Sequence, residues 1–288
     1  MKKIASPFLG DTPPQFFLLS DGRKLSYRDF GPIDGKPFSY FHGGGSSAIE
    51  PAYARLYCEE LGLRVIGIDR PGMGGSDRRS DYSIEGIAND ALALANHLQL
   101  KRFGSIGMSA GGPFAIKIAE LAPDRVPLVG LINASPERTL PEWKTVSLPM
   151  RLMLAAMLSR PLRKIAFANI ATGTEKRVSR AAKKGVLTQQ DQLHITAAIQ
   201  EGLTNPDGFE TLMGDIDLVL TRRWPINWGE LKAKVFAYSA TKDPALPFYL
   251  ALAKRYTNIS TQEIPGTHAP VVTGDVWRDL SRHATTLL

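Results

Sequence analysis

The sequence predicts an α/β protein with a mostly parallel sheet, interrupted by one long helical insert. Two observations carry this reading. Over 1–135 and again over 231–288, short apolar or β-branched runs alternate with segments of helical periodicity. Between them, from Pro136 to Glu230, no run has strand character, and five segments have helical spacing.

The elements follow in order. Gln15–Ser20 and Leu25–Phe30 flank Asp21-Gly22-Arg23-Lys24 and predict a hairpin, which would be the antiparallel edge of the sheet. Phe38–Phe41 is a short apolar strand ending in His42-Gly43-Gly44-Gly45. Helical spacing runs through Ala48–Leu61, and the strand Arg64–Ile68 then ends at Asp69. Ile84–Leu98 places Ile84, Ile87, Ala88, Ala91, Leu94, Ala95 and Leu98 on one helical face. The strand Arg102–Gly107 enters a tight turn, a helix follows over Pro113–Leu121, and Leu128–Ala134 reads as a buried strand. In the insert, helices are expected near Trp143–Leu158, Leu162–Asn169, Lys176–Lys184, Gln189–Gly202 and Phe209–Leu220, punctuated by prolines. The alternation resumes with strand Val235–Ser239, helix Phe248–Tyr256, strand Ile259–Ile264 and helix Val276–Leu288. The expected organisation is a core domain of 1–135 and 231–288 carrying a helical lid of 136–230.

Composition narrows the class. Hydrophobic residues make up 43% and charged residues 22%, the balance of a globular protein with a substantial core. No run approaches the ~18–20 apolar residues of a membrane-spanning helix. The net charge is +7, but 136–230 holds 13 Lys/Arg against 10 Asp/Glu, so the lid and the core share the excess. That spread argues against a nucleic-acid surface. The densest basic stretch, Lys176, Arg177, Arg180, Lys183 and Lys184, reads as a solvated helix face. Cys58 is the only cysteine, so no intrachain disulfide is possible and a cysteine-based metal site is not expected. The N-terminal apolar stretch is broken by Pro7, Gly10 and Asp11, unlike a secretory leader, so a cytoplasmic setting is expected.

The chemistry gathers at the turns. Gly107-Met108-Ser109-Ala110-Gly111-Gly112 is G-x-S-x-G between a strand and a helix. A sharp turn there lifts the serine hydroxyl above the sheet, and small flanking residues let the two backbones pass closely. Serine needs a base, and the base needs an orienting group. Of His42, His97, His194, His268 and His283, His268 follows the last strand on a loop at the same edge of the sheet as Ser109 and is the first choice of base; His42 also follows a strand but reads as a support of its loop, with a general-base role the minority reading. Asp243 follows the preceding strand and is the first choice of acid; Glu137, Asp215 and Asp217 are rivals. Gly43 or Gly44, together with Ala110, would supply backbone donors to an oxyanion. Asp69-Arg70-Pro71-Gly72-Met73-Gly74-Gly75-Ser76 lacks phosphate-loop spacing and reads as a structured turn beside the site.

With these residues, the chain resembles the α/β-hydrolase superfamily over nearly its whole length. His42-Gly43-Gly44, the Asp69–Ser76 turn, the Ser109 turn, Asp243-Pro244 and Gly266-Thr267-His268 carry the resemblance, and the order Ser, Asp, His matches the family's. The resemblance implies an eight-stranded, mostly parallel sheet flanked by helices, with a helical cap inserted after strand six. It assigns Ser109 as nucleophile, Asp243 as acid and His268 as base. It also implies acyl transfer without metal or organic cofactor, and serine at the turn sets the chain apart from family members that use aspartate, the haloalkane dehalogenases and epoxide hydrolases.

The expected activity is hydrolysis of an ester or related acyl bond in a small apolar substrate, by a monomer or homodimer. Carbon–carbon hydrolysis, lactone opening, peptide cleavage, cofactor-free oxygen chemistry and ligand reception without turnover remain alternatives on the same scaffold. Met150, Met153 and Met157 share a helical face and are expected to line the substrate pocket, with Met108 and His42 beside it.

Overall fold

The computed structural model describes residues 4–167, 178–179, 187–268 and 273–288. Eight strands form one sheet: β1 (Gln15–Leu18), β2 (Lys24–Phe30), β3 (Lys36–Phe41), β4 (Leu63–Ile68), β5 (Gly104–Met108), β6 (Leu128–Ile132), β7 (Lys234–Ala240) and β8 (Ile259–Ile264). Their order is β1-β2-β4-β3-β5-β6-β7-β8. The hairpin β1–β2 is antiparallel and pairs antiparallel with β4; every other pairing is parallel. Every residue of β4, β5 and β6 is buried, as expected of central strands covered on both faces.

Helices supply the cover. They are α1 (Arg55–Leu61), α2 (Ile84–His97), α3 (Gly112–Leu121), α4 (Leu148–Ala156), α5 (Arg160–Phe167), α6 (Gln189–Thr204), α7 (Gly208–Ile216), α8 (Leu246–Arg255) and α9 (Gly274–Leu287). Strand periodicity divides the core in two. In β6, Val129 and Leu131 pack with residues of α2, α3 and α8, while Leu128 and Ile132 pack on the other face with residues of α9. The Ser83 hydroxyl caps α2 by accepting from Gly86 N–H at 3.1 Å, and Thr188 and Asp191 form a reciprocal capping box at α6.

The departures from the expected elements are local and have physical causes. The Ala48–Leu61 segment begins as a 3-10 turn over Glu50–Ala54, with Pro51 in its first turn, before α1. The Trp143–Leu158 segment is split into a 3-10 turn, Pro141–Thr145, and α4, because Pro149 suits only the first turn of a new helix. The segment near Phe209–Leu220 ends in a π-helical turn over Asp217–Thr221. Lys176, Arg177, Arg180, Lys183 and Lys184 lie outside the described residues. Among the described residues, α4 to α7 lie between β6 and β7 with no strand, and no helix is long and apolar enough to cross a membrane.

The order of the strands places the site. From β3 the chain winds through α1 to β4 on one side; from β5 it winds through α3 to β6 on the other. The C-terminal ends of β3 and β5 therefore flank a change of winding direction, where open α/β sheets bind ligands. Glu137, just past β6, closes the neck of the inserted helices. Its carboxylate accepts from Trp224 N–H at 3.2 Å, Trp228 Nε1–H at 2.8 Å and the Thr139 hydroxyl at 2.7 Å. Removing it strands two buried donors, on Trp224 and Trp228. Glu137→Ala should therefore lower the unfolding free energy by about 3 kcal/mol, read as a shift in the urea midpoint; a loss below about 0.5 kcal/mol would show that the neck does not depend on these bonds.

Candidate active site

The turn from β5 to α3 is too tight for ordinary side chains. A Cβ on Gly107 would stand 2.7 Å from Gly111 O, one on Gly111 2.0 Å from Phe41 O, and one on Gly112 2.9 Å from the Ala134 Cβ. The same turn holds Ser109 at φ 51°, the left-handed region that strains a non-glycine residue. Ser135 N–H fixes the Ser109 carbonyl at 2.9 Å.

From that position the Ser109 hydroxyl lies 3.0 Å from His268 Nε2. His268 Nδ1 lies 2.6 Å from Asp243 Oδ2, and Asp243 Oδ1 accepts from Ala245 N–H at 2.7 Å. The loops that carry the acid and the histidine are tied by Lys242 N–H to Gly266 O at 3.1 Å. Asp243 is buried, while the imidazole is 45% exposed and within reach of a bound molecule. The rival acids are engaged elsewhere: Glu137 with the tryptophans, Asp215 with Arg70 at 2.6 Å, and Asp217 with Arg163. Ser109, His268 and Asp243 thus come together although 159 residues separate the first two.

The loop after β3 is held from below and is not equivalent along its glycines. Gly43 N–H donates to Glu50 Oε1 at 2.9 Å, so the expectation that Gly43 could serve as an oxyanion donor meets a prior commitment of its amide. Gly44 is exposed, and a Cβ on it would stand 3.7 Å from the Ala110 Cβ. Among the described residues Gly44 N–H makes no backbone or side-chain hydrogen bond, and Ala110 sits in the turn that opens α3. His42 is fully buried, its Nδ1 2.8 Å from Gly43 O and its Nε2 3.4 Å from Arg70 N. Burial, reinforced by the Arg70 charge, holds His42 well below the ordinary histidine range, so it is neutral at pH 7 and supports the loop. The expectation that His42 contacts substrate is corrected by that enclosure.

Two cavities open on Ser109 and His268. The smaller, 160 Å³, is bounded by Gly43, Gly44, Ser46, Glu50, Met108, His194 and the Ile195–Ile199 face of α6. The larger, 350 Å³, is apolar and includes Val146, Met150, Met153, Leu154 and Leu220. Met108, Met150 and Met153 face a cavity; Met157, at the C-terminal end of α4, is not among the lining residues. Glu50 and His194 gave no signal in the sequence, because one lies in a helical pattern and the other in the insert. Burial pushes the Glu50 carboxyl up to about 7 and pulls His194 down to about 4. His194 Nδ1 lies 2.7 Å from the Ser6 hydroxyl and its Nε2 3.0 Å from Glu50 O. Among the described residues, no three His, Cys, Asp or Glu side chains gather into a possible metal site.

A family model for the alpha/beta hydrolase fold matches residues 36–247. The chain belongs to the α/β-hydrolase fold family. It is similar to a non-heme chloroperoxidase of Streptomyces lividans, 38% identical over 119 residues, which is 41% of this chain and 43% of that protein. A bifunctional esterase/perhydrolase of Acinetobacter calcoaceticus is 30% identical over 118 residues, 40% of this chain and 43% of that one. The alignments thus span less than half the length of these relatives. Among solved structures, an epoxide hydrolase of Bacillus megaterium superposes with a TM-score of 0.74 at 17% identity, covering 94% of this chain and all of that one. An esterase of Exiguobacterium antarcticum gives 0.68 at 17% identity, covering 96% and 98%. At these identities the structural likeness establishes the fold alone.

The raised Glu50 carboxyl makes a pH prediction. A group with its folded pKa above its unfolded value stabilises the fold fully below the unfolded pKa and loses that contribution as pH rises through the folded one. For Glu50 the loss runs from about 4.5 up through about 7. Glu50→Gln, which stays neutral, should gain in Tm relative to wild type as pH rises from 5 to 8. A difference that is flat across this interval would show that Glu50 does not titrate in this way.

Proposed function

We propose that this hydrolase cleaves carboxylic esters of small, largely apolar molecules through an acyl-enzyme on Ser109. The observation that carries the reading is the continuous relay from Ser109 Oγ through His268 to the buried Asp243, at 3.0 and 2.6 Å. His268 Nε2 takes the serine proton as Oγ attacks the ester carbonyl, and Asp243 fixes the tautomer and stabilises the imidazolium. Gly44 N–H and Ala110 N–H receive the developing oxyanion. His268 then protonates the departing alkoxide, so that the alcohol leaves and the acyl group stays on Ser109. Water, deprotonated by the same imidazole, attacks the acyl-enzyme, releases the carboxylic acid and restores Ser109. The residues 136–230 act as a cap whose helix α4 supplies Met150, Met153 and Leu154 to the apolar cavity, the place for the bulkier part of the substrate. The serine supports ester chemistry over alkyl-halide or epoxide opening.

A second acceptor for the acyl group is suggested by the relative named esterase/perhydrolase. Hydrogen peroxide in place of water would release a peracid from the same acyl-enzyme.

A series of chromogenic esters tests both readings. Wild type should hydrolyse medium-length acyl esters faster than acetates, and Ser109→Ala should lower kcat by roughly 10³-fold or more. Asp243→Asn should lower kcat by a comparable order with a smaller change in KM. Equal turnover by wild type and Ser109→Ala would end the ester reading. Peracid formation on adding peroxide, absent in Ser109→Ala, would add the second.

A further inference from the structure

The Asp69–Ser76 turn does more than border the site, because one side chain from it reaches beneath the loop after β3. Arg70 is fully buried, with its guanidinium 5.2 Å from the centre of the Phe114 ring. Its Nη1 donates to His42 O, and its Nη2 donates to Gly43 O at 3.0 Å and to Asp215 Oδ2 at 2.6 Å. Gly43 O is also 2.8 Å from His42 Nδ1. Ser46 N–H also donates to it at 3.3 Å, so three donors hold one carbonyl oxygen toward the interior, and Arg70 is the charged one.

That oxygen belongs to the same planar trans peptide as Gly44 N–H, and in such a unit the N–H points opposite to the C=O. Anchoring Gly43 O toward the core therefore turns Gly44 N–H the other way, to the side on which Ser109 and Ala110 stand. We propose that Arg70 is a positioning residue that aims the Gly44 oxyanion donor, and that its bond to Asp215 couples this aim to the seating of helix α7. Asp215 sits near the end of α7, in the insert, and its other oxygen accepts from the Tyr82 hydroxyl at 2.6 Å. Displacing α7 would withdraw a partner from Arg70 and loosen the peptide that carries the donor. The proposal rests on the acyl-transfer reading above.

A merely structural ion pair would weaken every ligand alike, or only lower the stability, since a buried pair is by itself weak evidence of a stabilising role. A positioning role acts on the tetrahedral species alone. The test measures kcat and KM on the preferred ester for wild type, Arg70→Lys, Arg70→Met and Asp215→Asn. It also measures affinity for two ligands: an alkyl boronic acid, which adds to Ser109 as a tetrahedral anion, and the ether analogue of the ester, which has no carbonyl.

Arg70→Met should lower kcat by roughly 10- to 100-fold and weaken the boronate by the same factor, with KM and the affinity for the ether changed less than about threefold. Arg70→Lys, which keeps a donor, should lose less. Asp215→Asn, which keeps the shape and the bond to Tyr82, should shift both readings in the same direction by a smaller factor and keeps the test open if Arg70→Met does not fold. Unchanged boronate affinity in the Lys and Asn variants, or equal weakening of boronate and ether, overturns the proposal. Wild type without ester turnover and without a Ser109-dependent boronate adduct overturns the acyl-transfer reading and this proposal with it.

Discussion

The close passage of β5 against the start of α3 is the constraint on which the site depends. Gly107 and Gly111 let backbone meet backbone, and Gly112 lets it meet the Ala134 Cβ, at distances that a side chain would forbid. The left-handed φ of Ser109 is the result. Strain of this kind persists only where surrounding contacts over-determine it. Here those contacts are the Ser135 N–H on the Ser109 carbonyl, Phe41 O against Gly111 and Ala134 against Gly112. The fold therefore fixes where the hydroxyl stands before any partner arrives, and the loops after β7 and β8 bring the acid and the imidazole to it.

Beneath the opposite wall lies a set of buried charges, each held by backbone donors or by another charge. Asp69 accepts from Ala48 N–H at 2.6 Å and Gly75 N–H at 3.1 Å, and burial raises its carboxyl to about 6. Glu50 accepts from Gly43 N–H and from the Tyr40 hydroxyl, while Arg70 pairs with Asp215. Unpartnered, any of these would cost several kcal/mol on burial. Partnered, they fix the orientation of successive peptides in the loop after β3. The same side chains that satisfy one another also decide that the amide of Gly43 is occupied, while that of Gly44 has no partner among the described residues.

Much of this was legible in the sequence, and what was not has a common cause. The turn at Ser109 was readable because its requirement is steric and local: small residues at fixed offsets between a strand and a helix. His268 was readable because it follows the last strand at the edge where Ser109 stands, while His42, which follows β3 at that edge, leads a glycine run that reads as a loop to be supported. Asp243 was distinguishable from Glu137, Asp215 and Asp217 by position alone only as a first choice; contacts with the tryptophans, Arg70 and Arg163 separate them in space. The choice between Gly43 and Gly44 turns on Glu50, a residue inside a helical pattern with nothing to mark it. Arg70 and Asp215 meet across 145 residues, beyond any local pattern. His42 precedes the glycines as a contact residue would, yet it is enclosed by the carbonyl and amide it supports. Met157 kept the helical spacing of Met150 and Met153 but lies at the helix end, past the cavity.

Ser109 as the atom that carries the acyl group is the claim from which the rest follows, and covalent mass is its most direct measure. Rapid acid quench of wild type during turnover of a slowly released ester, followed by intact-mass and peptide analysis, should give a species heavier by one acyl group, with the added mass on the peptide containing Ser109. Turnover without any such adduct at every quench time, or an adduct on a different residue, would contradict it.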